Sequence, residues 1–488
     1  MRGGLTTARI RWVIAVLLLL FAAICGRLVQ LGMVVQDTSI EGKARDIITA
    51  TRPAILDRNG LELAVDVRVP SLFAEPRRII DVDEAAAAVH SVLPDLSIDW
   101  LKQRLTGDKG FVWIKRELTP AIEDKIMQLG IPGLDFLTES KRFYPGGNEA
   151  AHIVGAVNID NQGIAGMEKA MDDEDVALLQ QVGLARGNEL APVNLSIDLR
   201  VQHVMHDVLT DALSRYRAAA AAGAMMDIKT GEILGLVSLP DFDPNNPGSA
   251  LQKDTFNRMT AGIYELGSTM KSVTIAGALD SGKVKITDTF DARFGVRFGR
   301  FTITDFHGKN RILTLPEVYK FSSNVGAIHI MQQWGKENFR AFMTKVGFDA
   351  PLPIELPEKT VSYIPKTLAD VTAATAAFGH GIAITPLHMA AAMAAFVNNG
   401  VYEPPTVLMR TPKEVADLGK RFISPTTSVE IRELMRLNAL EGSGTVMERD
   451  AQGYRVGGKT GTAEKVVKGR YDPRLNFNVF ASAFPMDN

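Results

Sequence analysis

The chain has 488 residues, 46% of them hydrophobic and 23% charged, and a formal net charge of -2. It is long enough for more than one domain and apolar enough for a substantial core. The near-neutral balance leaves no electrostatic footprint for nucleic acid, and the composition is not that of a disordered chain.

At the N-terminus, Arg2, Arg9 and Arg11 precede an uncharged run from Trp12 to Gly26. The run leaves through Ala22-Ala23-Ile24-Cys25-Gly26 into Arg27 without a well-placed small-x-small cleavage site, so an uncleaved membrane anchor is expected rather than a signal peptide. A bilayer core takes about 20 residues, and Leu28, Val29, Leu31 and residues 33–35 extend the run if Arg27 snorkels. Basic residues before the span place residues 1–11 in the cytoplasm, the anchor at 12–35 and the bulk of the chain outside. Cys25 is the only cysteine, so no intramolecular disulfide can form, and Ile24 before it argues against a lipid-acylation site.

Residues 36–192 mix short alternating strands with helical stretches at 83–93 and 120–129. Within them Asp57-Arg58-Asn59-Gly60 has the composition of a hairpin turn. A second domain is expected over 193–488. A strand at 194–198 leads into a helix with Val201, Val204, Met205 and Val208 at helical spacing. A hairpin follows at 223–238, turning at Lys229-Thr230-Gly231-Glu232. From 254 to 440 the pattern is largely helical, interrupted by a strand-like 296–303, and strand character returns at 454–461 and 477–484. Helices inserted between strands of one antiparallel sheet define an α+β domain.

Three strings in this domain carry chemistry: Ser268-Thr-Met-Lys271, Ser322-Ser323-Asn324 and Lys459-Thr460-Gly461-Thr462. Each alone is a common pattern, and Ser322 taken alone is a helix cap. Their conjunction supplies a serine nucleophile with a lysine on the same helix face, a hydroxyl beside an amide, and a basic strand lined with hydroxyls. Lys271 can act as base only if burial or a neighbouring cation, for which Lys459 is the candidate, lowers its pKa. His203 and His206 have helical spacing but no accompanying carboxylate motif, so no metal site is expected, and serine acyl transfer needs neither metal nor cofactor. His380, in Gly379-His380-Gly381, stays outside the expected catalytic set.

The three strings, in this order, resemble those of penicillin-binding proteins and serine β-lactamases. Arg52-Pro-Ala-Ile-Leu-Asp-Arg-Asn-Gly60, Arg142-Phe-Tyr-Pro-Gly146, Ala150-Ala-His152 and Gly163-Ile-Ala-Gly-Met-Glu168 are similar to the pedestal motifs of class B penicillin-binding proteins, a domain that β-lactamases lack. With Asp305-Phe-His-Gly308 and residues 378–386, the whole pattern most resembles the division-specific, FtsI-type enzymes (penicillin-binding protein 3), above all their alphaproteobacterial form. The resemblance implies a pedestal over 36–192 and a transpeptidase domain over 193–488 in which an antiparallel sheet is flanked by helices. It implies Ser268 acylation by D-Ala-D-Ala stem peptides and by β-lactams. Ser322 would relay protons and Asn324 would hold substrate and Lys271. Lys459, Thr460 and Thr462 would bind the terminal carboxylate, with Ser323 and Gly461 beside the substrate, and the backbone N–H groups of Ser268 and Thr462 would form an oxyanion hole.

It further implies a single-pass inner-membrane protein at the division septum, working with a polytopic septal glycan polymerase and other division proteins. An elongation-type transpeptidase and a non-catalytic division scaffold are the alternatives, and a β-lactam sensor is a third. Leu266 and Ser272 stand where the family usually has proline, and Pro53 where it often has glycine. The chain ends at Phe484-Pro-Met-Asp-Asn488, a turn signal after a strand. The resemblance implies a further strand and helix, so a C-terminally incomplete domain is expected and its independent activity is in question.

Overall fold

The computed structural model describes residues 52–173, 185–186, 189–467 and 470–487, together with Trp12, Phe21, Ala22 and Ile24. The expected anchor over 12–35 and the tail before it otherwise lie outside the described residues. Among the described residues no helix is long and apolar enough to cross a membrane.

Two compact units form, one on Arg68–Ser140 and the other on Arg52–Val67 with Lys141–Asn488. This differs from the linear division at 192 expected above, and hydrogen bonding is the reason. Ile55–Leu56 pairs in parallel with Val193–Asn194, Arg58 N donates to Ile197 O at 3.0 Å, and Gly166 N donates to Glu358 Oε1 at 3.1 Å. These bonds tie 52–67 and 141–173 to the C-terminal part of the chain.

In the smaller unit the helices Val82–Val92, Ile98–Leu105 and Pro120–Met127 have clear start signals. Asp81 and Ser97 accept from the backbone N–H of Glu84 and Trp100, and Pro120 occupies the first turn, where its missing N–H costs nothing. Leu72, Val89, Leu101, Leu105, Ile114 and Ile126 close its core.

In the larger unit three of the N-terminal motifs converge on one buried charge cluster. Glu168 and Arg142 side chains are fully buried, and Arg142 Nε meets Glu168 Oε1 at 2.6 Å. Arg142 also reaches Asp66 at 3.0 Å and donates to Pro53 O at 2.8 Å. Arg52 holds the other Glu168 oxygen at 2.7 Å and Asp172 at 2.8 Å. A dry carboxylate is tolerable here because both oxygens face guanidinium donors.

Further along, Asp198 caps the helix Leu199–Arg215, whose Val201 and Met205 lie over Gly235. Gln202 is fully buried and brackets Leu236, donating to its carbonyl and accepting from its N–H, both at 2.8 Å. Val204 and Val208 fall on the neighbouring face and are exposed, because Gln202 and Met205 set the row that meets the sheet. The hairpins Ala221–Met226 with Ile233–Leu239 and Gly457–Val467 with Arg470–Ala483 each form their own two-stranded antiparallel ladder. The helix Pro386–Val397 packs against strands of both.

Behind the second hairpin the helix Met270–Asp280 is buried at every position from 270 to 279, as suits the centre of a domain. Asn324–Trp334, Lys336–Lys345, Pro386–Val397 and Pro425–Glu441 pack around it. The architecture is mixed α and β, and this central helix positions the chemistry.

The charge cluster sets a stability test. Glu168→Gln removes the charge shared by two guanidinium groups and is expected to cost about 3–5 kcal/mol, read as a lower thermal midpoint of the purified chain. Lys169→Gln, which breaks only a surface pair with Asp173, should cost less than about 1 kcal/mol. Equal midpoints for the two variants would contradict this account.

Candidate active site

Gly267–Thr269 forms a single 3-10 turn that runs into Met270–Asp280, placing Ser268 at the mouth of the central helix. Gly267 has φ +53°, and a Cβ there would lie 2.6 Å from Thr462 O, so only glycine lets this turn approach the strand so closely. Gly461 meets the turn from the other side, where a Cβ would lie 2.4 Å from Leu266 O. Ser268 remains partly exposed, whereas Lys271, one helical turn on, is fully buried.

The Lys271 amine faces four oxygens. It lies 2.5 Å from Ser322 O, 2.7 Å from Asn324 Oδ1, 2.9 Å from Ser268 Oγ and 3.1 Å from Ser322 Oγ. An ammonium has only three N–H donors, and a neutral amine has two and a lone pair. The two shortest contacts go to oxygens that can only accept, so a neutral amine keeps its lone pair for a serine O–H. Burial, and after it the charge of Lys459, pushes Lys271 well below the usual lysine range, while Asp305 pulls weakly the other way.

Ser322 has φ +55°, a conformation rare outside glycine, and this strained turn aims its hydroxyl between two lysines. Lys459 Nζ donates to it at 3.1 Å and to Thr460 O at 3.1 Å. Lys459 is fully buried, which lowers its pKa to about 8. Strand alternation puts Thr460 and Thr462 on the face opposite Lys459 and Gly461. Thr460 Oγ1 donates to Ser443 Oγ at 2.5 Å and Thr462 Oγ1 to Asn478 Oδ1 at 3.2 Å.

Ser268, Lys271, Ser322, Asn324 and Lys459 therefore meet at one point. Ser323, expected beside the substrate, has a structural task in the fold. It is the actual N-cap of Asn324–Trp334, accepting from Gly326 N at 2.9 Å and donating to Asp305 Oδ2 at 2.7 Å. Gly461 acts through close packing, having no side chain to offer.

Asp305 has a role that its motif does not announce. Its carboxylate also accepts from the N–H groups of Asn324 and Val325 at 2.5 and 3.0 Å, so it holds the helix N-terminus that carries Asn324. Glu265 accepts from Gly381 N at 2.9 Å, and the neighbouring His380 is pushed down by burial while Glu265 and Lys271 act on it with opposite signs. No spacing in the chain announces these second-layer contacts, which come from distant loops. His203 and His206 are engaged separately, at 2.7 Å from Glu149 and 2.8 Å from Asp241.

A serine nucleophile, a desolvated lysine and a strand-edge lysine define a serine acyltransferase site of the penicillin-reactive class. Residues 221–488 match the penicillin binding protein transpeptidase domain, and residues 47–180 the penicillin-binding protein dimerisation domain. With both domains in this order, the chain belongs to the class B penicillin-binding proteins. It is 37% identical over 443 residues to the probable peptidoglycan D,D-transpeptidase FtsI of Caulobacter vibrioides, covering 90% of this chain and 74% of that protein. To the peptidoglycan D,D-transpeptidase FtsI of Escherichia coli it is 29% identical, covering 93% of this chain and 81% of that protein. A peptidoglycan synthetase from Bifidobacterium adolescentis shares the fold, with a TM-score of 0.68 at 22% identity, covering 90% of this chain and 89% of that one.

Ser272, the residue after Lys271, has a visible partner: its hydroxyl pairs with the buried Tyr319 Oη at 2.8 Å. Ser272→Ala should cost about 1–3 kcal/mol by stranding that phenol. Adding Tyr319→Phe should recover most of the loss in a thermal-unfolding cycle, and additive losses would show that the pair does not interact as described.

Proposed function

We propose that this chain is a peptidoglycan D,D-transpeptidase that cross-links stem peptides at the division septum. The observation that carries the reading is the desolvated Lys271 amine within hydrogen-bond reach of Ser268 Oγ.

In the first step Ser268 Oγ attacks the penultimate D-alanine carbonyl, and its proton passes to the Lys271 lone pair. The developing oxyanion lies between the backbone N–H groups of Ser268 and Thr462, and the close approach of Gly267 to Thr462 supports that arrangement. The C–N bond then breaks, and the proton leaves Lys271 through Ser322 Oγ to the departing D-alanine amine. An amine from a second stem attacks the ester, its proton passes to Lys271 and from there to the departing Ser268 Oγ, and both groups return to their starting state. Thr460 and Thr462 would hold the terminal carboxylate, with the buried Lys459 behind the strand supplying positive charge, and Asn324 would orient both substrate amide and Lys271. β-Lactams, which imitate the D-Ala-D-Ala terminus, would acylate the same serine.

The septal assignment rests on the likeness to the two FtsI proteins. With it go single-pass anchoring in the inner membrane through 12–35 and partnership with a polytopic glycan polymerase and other division proteins.

Fluorescent-penicillin labelling of membranes expressing the chain tests the core of this reading. Ser268→Ala should abolish labelling, and Lys271→Met should slow it by about 10²–10⁴-fold. Labelling that survives Ser268→Ala would place the nucleophile elsewhere.

The pH profile follows from the same geometry. Only neutral Lys271 accepts the proton, so acylation should rise with pH through a midpoint far below the ordinary lysine value of 10.5. Lys459→Gln removes a repelling cation and so raises the Lys271 pKa, which should move the rising limb to higher pH in stopped-flow acylation. A limb that stays put or moves to lower pH would exclude Lys459 as a tuning charge.

A further inference from the structure

Between the central helix and the Ser322 turn the chain makes an excursion that the acyl-transfer chemistry does not use. Thr289–Asp291 pairs antiparallel with Ile312–Thr314, and Val296–Phe298 pairs with Phe301–Ile303 further out. The resulting arm, 289–314, is seated on the core by Phe290, Ala292 and Leu313, with Val296, Phe298 and Ile303 packed beside them.

Its outer side is unlike a solvated loop. Phe294, Phe301 and Phe306 are 76%, 58% and 90% exposed. Three exposed phenylalanine rings on one arm are more bare apolar surface than a solvated loop needs, and exposed apolar surface rimmed by polar residues marks interaction sites. The rim here is basic. Arg293 and Arg311 are paired with Asp291 and Glu317. Arg297, Arg300 and Lys309 form no ion pair among the described residues: Arg297 donates to Gly299 O at 2.9 Å, Arg300 lies 5.1 Å from the Phe301 ring centre and Lys309 4.8 Å from that of Phe321. The arm thus presents uncompensated cations interleaved with exposed rings.

The arm is also fixed to the reacting centre. Asp305, in its returning limb, binds Ser323 Oγ and the N–H groups of Asn324 and Val325, and Phe306 is the next residue.

We propose that the arm 289–314 docks the glycan strand and acidic stem peptides of uncross-linked peptidoglycan, delivering a stem to Ser268. This rests on the transpeptidase reading above and extends it from the D-Ala-D-Ala terminus to the polymer that carries it. Phenylalanine rings match the C–H faces of pyranose sugars, and guanidinium and ammonium groups match stem-peptide carboxylates. Charge complementarity thus favours an acidic polymer. Basic aromatic surfaces also bind anionic lipid, but the Asp305 link joins this surface to the turn that must receive the wall polymer.

The test uses the purified full chain in detergent and two sets of substitutions: Phe294→Ser, Phe301→Ser and Phe306→Ser together, and Arg297→Gln, Arg300→Gln and Lys309→Gln together. Co-sedimentation with purified peptidoglycan sacculi should fall about tenfold in apparent affinity for each set. Fluorescent-penicillin acylation, which needs only the Ser268 centre, should stay within about twofold of the unaltered chain. The charge set guards against a misfolded phenylalanine set, because it leaves every packed residue in place. Sacculus binding unchanged in an acylation-competent charge set would overturn the proposal. So would a loss confined to phosphatidylglycerol vesicles, which would assign the arm to membrane. Absence of Ser268-dependent labelling in the unaltered chain would instead strike the transpeptidase reading, and the proposal with it.

Discussion

The burial of one amine organises the domain. Lys271 sits on a helix with no solvent-facing side over 270–279, and an amine in that position is costly to keep protonated. The lowering of its pKa is therefore a consequence of packing first and of the Lys459 charge second. The surrounding structure is arranged so that this buried polar group is still satisfied: Ser322 O and Asn324 Oδ1 take its N–H groups, and the serine hydroxyls face what remains. A second buried lysine, Lys459, adds repulsion and shares Ser322 Oγ.

That arrangement explains why so many glycine, hydroxyl and acidic side chains lie around the centre without reacting. Gly267 and Gly461 allow a turn and a strand to meet at backbone distance. Asp305 anchors the helix start that aims Asn324, and Ser323 completes the same cap. The strained φ of Ser322 is held by its neighbours on both sides, whose N–H groups and hydroxyl are committed elsewhere. The reacting groups are few, and most of the polar residues near them fix where those few point.

Far from that centre the charge cluster of Arg52, Arg142, Asp66 and Glu168 does a comparable job for the N-terminal motifs. These residues lie in segments well separated along the chain, and their mutual neutralisation brings the segments together. Residues 52–67 and 141–173 therefore belong with the C-terminal part, and Arg68–Ser140 stands as a compact unit inserted between them.

Much of the local structure was legible in the chain. The helical stretches near 83 and 120, the turn at Asp57–Gly60 and the hairpin turning at Lys229–Glu232 depend on near neighbours, so the order of residues determines them. The three strings that hold Ser268, Lys271, Ser322, Asn324 and Lys459 were visible in the chain, and the fold brings those five side chains together. Tertiary structure alone decided the lowered pKa of Lys271, because it depends on burial and on a lysine from a distant strand. It alone distinguished Ser322, turned toward the lysines, from Ser323, turned into a helix cap, since adjacent residues in a strained turn point in opposite directions. It also assigned Asp305 to the helix start and left Val204 and Val208 in solvent. Those outcomes depend on which distant surfaces meet, and helical spacing within one segment carries no information about its partner.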